Sequence, residues 1–81
     1  MNEDLETTAL IDISDRMYTL TGKLIEEGQQ PFAIASIYTM IAMQIYRTML
    51  SEKDYNEMVD AISKNRDQVK TLTEMIKSKL N

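Results

Sequence analysis

Nineteen consecutive residues, 28–46 (GQQPFAIASIYTMIAMQIY), carry no charge. Charges recur at ordinary helical spacing on either side, so this stretch limits what the chain can fold into. Pro31 suits the first turn of a helix, where its missing N–H is no loss. Beyond it, Phe32, Ala33, Ile34, Ala35, Ile37, Tyr38, Met40, Ile41, Ala42, Met43, Ile45, Tyr46, Met49 and Leu50 leave almost no polar face. At about 100° per residue, the least apolar stripe is Ser36, Thr39, Met40, Met43 and Arg47. A helix apolar nearly all round is expected to be buried nearly all round. Two neighbouring helices cover only part of its circumference. Either the stripe with Met40 and Met43 is exposed, or a second copy of the chain covers it.

A membrane span is the competing reading. A bilayer needs roughly 20 apolar residues, and the strongly apolar part, 32–46, offers about 15. Gln29, Gln30, Pro31, Ser36, Thr39 and Gln44 dilute the uncharged stretch 28–46. Glu26, Glu27 and Arg47 flank it without an aromatic belt. A buried core helix is therefore expected, and a small membrane-associated accessory protein is a minor alternative.

Eighty-one residues make a single all-helical domain, 1–81, with a limited core. Chains of this size commonly need staples or oligomerisation. With no cysteine there is no disulfide and no thiolate chemistry. With no histidine, Ser-His-Asp triads, His-ligated zinc and the His-containing di-iron pattern of helix bundles are excluded. Hydrophobic content of 43% favours a folded chain, and two glycines and one proline favour a few long helices. The fold expected is all-α, a helical hairpin plus a third helix (about 5–27, 31–50 and 52–79), assembled as an oligomeric bundle.

In the first helix, Leu10, Ile13, Met17, Leu20 and Leu24 step by three and four, with Ile11, Tyr18 and Ile25 as an adjacent seam. This face is wider than a simple coiled-coil seam. Residues 1–4 are expected to fray. Asp12 and Arg16 form a favourable i,i+4 pair. Gly22 marks either a close helix contact or a kink. Gly28 reads as a C-cap, and the short link to Pro31 makes the first two helices antiparallel neighbours.

Ser51, followed by Glu52, Lys53 and Asp54, approximates a capping box. In the third helix Tyr55, Met58, Ile62, Val69, Leu72 and Ile76 hold a heptad seam, with Asn65 and Lys79 in two of its slots. Val59 and Leu80 extend that seam. Six polar residues, 63–68, interrupt it. A polar seam residue can fix register; the favoured reading is that this segment leaves the core.

Carboxylates are the only candidates for chemistry. Glu57-x-x-Asp60 and Glu3-x-x-Glu6 each place two acids on one helical face, the kind of arrangement that holds Mg²⁺ in all-α nucleotide pyrophosphohydrolases. The spacing is common by chance, and acids at the start of the third helix suit its dipole. Asp12 and Asp15 lack the glycine a calcium loop needs. No catalytic residue, metal or cofactor is expected. Of the internal methionines, Met17, Met49, Met58 and Met75 are assigned to core filling and Met40 and Met43 to an interface.

The net charge of −4 and pI near 4.6 disfavour nucleic-acid binding. Lys64, Arg66, Lys70, Lys77 and Lys79 have no aromatic interleaving, and the dipole accounts for bases at a helix end. Residues 1–30 have net charge −5 and residues 64–81 net +3. An antiparallel partner chain would set one against the other. The acidic start lacks an early apolar run, so no signal peptide is expected and the cytoplasm is the default location.

Residues 41–62 (IAMQIYRTMLSEKDYNEMVDAI) join an apolar helix, the run Tyr46-x-x-x-Leu50-Ser51 and an acidic start of the next helix. This pattern resembles the small acidic helical proteins, without assigned function, that tailed phages of aquatic bacteria encode. The resemblance covers about a quarter of the chain. It implies no activity and no site, and would place the chain in a host cytoplasm.

The expected function is non-catalytic interaction or regulation, with self-association through the central helix. A homo-oligomer, a dimer first, is expected, with room for an unidentified protein partner. The candidate interface is Ser36, Met40, Met43 and Arg47, with Asn65 and Arg66 at the polar break. The alternative is a Mg²⁺-dependent nucleotide hydrolase using Glu57 and Asp60. Ile41→Asp is expected to unfold or dissociate the protein, because an unpaired charge would enter the core.

Overall fold

The computed structural model describes the backbone of residues 2–80 and the side chains of 5–75 and 77. The described chain is all-α. Helix α1 spans Asn2–Glu26, α2 Pro31–Met49, α3 Glu52–Lys64 and α4 Leu72–Leu80, with a short 3-10 turn at Arg66–Gln68. The expected fray at the N-terminus is helical from Asn2 onward. The chain divides into two units, Met1–Met43 and Gln44–Asn81, each taken by itself below.

In the first unit α1 ends at Gly28, as its C-cap reading requires. Gly28 takes φ +91°, its N–H donates to Ile25 O at 3.0 Å, and Gln29 N–H donates to Leu24 O at 3.0 Å. That pair of bonds is a Schellman motif, which satisfies carbonyls that a helix end leaves open. Pro31 opens α2, and its first backbone bond runs from Ile34 N–H to Gln30 O at 3.0 Å. Near this elbow the Thr21 and Tyr38 hydroxyls lie 3.1 Å apart. Beside them Leu24, Gln29, Ala33, Ile34, Ile37 and Tyr38 line an apolar cleft of about 210 Å³. Gly22 is neither a close contact nor crowded: a Cβ built there meets nothing within 4 Å.

In the second unit, Ser51 caps α3, accepting from Asp54 N–H at 3.1 Å. Arg47 lies over the Tyr55 ring, 4.9 Å from its centroid, and so ties the end of α2 to α3. The third helix expected over 52–79 is two helices. Asn65 terminates α3: its N–H donates to Ala61 O and Ile62 O at 3.2 Å, and its Nδ2 donates to Ala61 O at 2.9 Å. The polar run 63–68 has no apolar face to hold it helical, and a side chain that bonds the backbone competes with the helix. Val69 is extended and exposed rather than in a seam. Thr71 and Glu74 then start α4 with a full capping box. Glu74 N–H donates to Thr71 Oγ1 at 3.1 Å, and Thr71 N–H donates to Glu74 Oε1 at 3.3 Å. The seam slots assigned to Ile76, Lys79 and Leu80 lie outside the described side chains.

Candidate interaction surface

The sequence calls for a buried central helix, yet within one chain it is largely bare. Ile34, at 8% exposure, is the buried hydrophobic residue among those described. Past it on α2, Ile37, Ile41 and Ile45 stand 50%, 46% and 54% exposed. On α1 exposure climbs with distance from the elbow, from Leu24, half-buried, through Leu20 at 44% to Leu10 at 67%. Cover is concentrated at the elbow, where Leu24 and Ile34 line one cleft.

The helix itself has little reason to form alone. Isoleucine, threonine and aromatic residues fill much of α2, and each is roughly 0.4–0.7 kcal/mol poorer than alanine as a helix former. Most helical stability in such cases comes from packing an apolar face. Three of its hydroxyls spend their donor on the helix itself. Ser36 donates to Phe32 O at 2.9 Å, Thr39 to Ala35 O at 2.8 Å and Thr48 to Gln44 O at 2.8 Å. Each donor is used one turn back on its own helix.

Of the candidate interface residues, Ser36, Met40, Met43 and Arg47 follow one side of α2 by helical spacing. Met40 and Met43 are exposed, as the interface reading requires. Arg47 is engaged by Tyr55 of its own chain. Asn65 uses its polar groups to cap α3, and Arg66 opens the 3-10 turn. Met17 and Met49, assigned to core filling, are exposed, at 42% and 77%. Ile41 is likewise 46% exposed, so within the chain Ile41→Asp sets its charge at water and not in a core, against the unfolding expected of it.

The sequence places the rest of α2 in the core. Ile34, Ile37, Ile41 and Ile45, stepping by three, four and four, lie on the side of α2 away from Ser36, Met40, Met43 and Arg47. Their even β-branched spacing is the sequence feature that marks them. Isoleucine covered by a chain's own fold and isoleucine left open have the same spacing, so the sequence does not tell them apart.

Among the described residues no three His, Cys, Asp or Glu side chains gather as a metal ligand set. Glu57 lies 4.0 Å from Lys53 in an exposed i,i+4 pair, and the side chain of Glu3 lies outside the described residues. Asp12 pairs with Arg16 at 3.2 Å, also in the open, where such pairs contribute up to about 1 kcal/mol. Among the described residues no helix is long and apolar enough to cross a membrane. The elbow cleft is smaller than the roughly 300–1,000 Å³ of typical small-molecule sites. The surface that remains is one of exposed aliphatic side chains on two connected helices. No family model, curated protein or solved structure matches this chain.

Proposed function

We propose that this chain is a non-catalytic helical interaction or regulatory protein that self-associates through its central helix. The observation that carries the reading is the exposure of apolar side chains along α2 and the facing seam of α1, with Ile34 alone buried among the described hydrophobics.

Magnitudes say how much surface such an association needs. Covering a half-exposed aliphatic side chain contributes roughly 1 kcal/mol. A dimer that covers Ile37, Ile41 and Ile45 on both copies gains roughly 6 kcal/mol on that scale. Association costs roughly 4–15 kcal/mol in lost freedom. The α2 stripe alone is therefore marginal. Adding Leu10, Ile13, Met17 and Leu20 of α1 brings the gain to roughly 14 kcal/mol, so a stable assembly recruits both helices.

The test is mass in solution by light scattering, in detergent-free buffer over a range of concentrations. A dimer or higher oligomer is expected. A monomer at every concentration overturns the reading.

A further inference from the structure

We draw no further inference here: the strongest candidate, the open isoleucine face of α2 at Ile37, Ile41 and Ile45, carries nothing, because nothing in the structure shows what covers it.

Discussion

Gly28 holds φ +91°, a conformation that costs an L-residue about 1–2 kcal/mol. A Cβ there would meet nothing within 4 Å, so the cost is wholly one of backbone conformation. Gly22 also faces open space but sits inside α1, where glycine is roughly 0.5–1 kcal/mol worse than alanine. The same substitution thus has opposite signs six residues apart. Gly28→Ala is expected to lower the unfolding free energy by about 1 kcal/mol, and Gly22→Ala to raise it by roughly 0.5–1 kcal/mol, in urea titrations. A loss at Gly22 would mean that a neighbour packs there which the single chain does not supply.

At the scale of elements, the boundaries set by local chemistry could be read directly. Gly28 ends α1, Pro31 starts α2 and Ser51 caps α3, each through groups within a few residues. The break between α3 and α4 was hidden by periodicity. Residues 65–71 span one heptad, so the apolar spacing resumes in phase at Leu72 and imitates an unbroken seam. The contrary sign was present in Thr71-x-x-Glu74, a capping box embedded in that pattern. Thr71→Ala is expected to cost α4 about 1 kcal/mol. Amide exchange should quicken over residues 72–80 and stay unchanged in α1 and α2; uniform quickening throughout would show that α4 is not a separately held element.

For the whole molecule, the apolar pattern predicts covered helices, whereas most described apolar side chains of α1 and α2 are exposed. A core position and an interface position obey the same rule, removal of apolar surface from water, so one chain cannot label them differently. At the candidate surface the sequence singles out α2, and the structure gives the exposure of Met40 and Met43. The isoleucine side was not recognised as open, because nothing in its spacing reports whether α1 reaches over it. If assembly completes the fold, stability is linked to concentration by mass action. The thermal midpoint followed by circular dichroism is expected to rise as chain concentration is raised. A midpoint independent of concentration would separate folding from association.

The hydroxyls of Ser36, Thr39 and Thr48, each turned back to its own helix, have a consequence for recognition. Such a surface offers a neighbour acceptor oxygens but no donor from these three residues, and so makes little directional demand. It discriminates by contour, by where branched side chains leave room and where they do not. Directional polar groups return toward the C-terminal end of α2, where Gln44 and Arg47 stand.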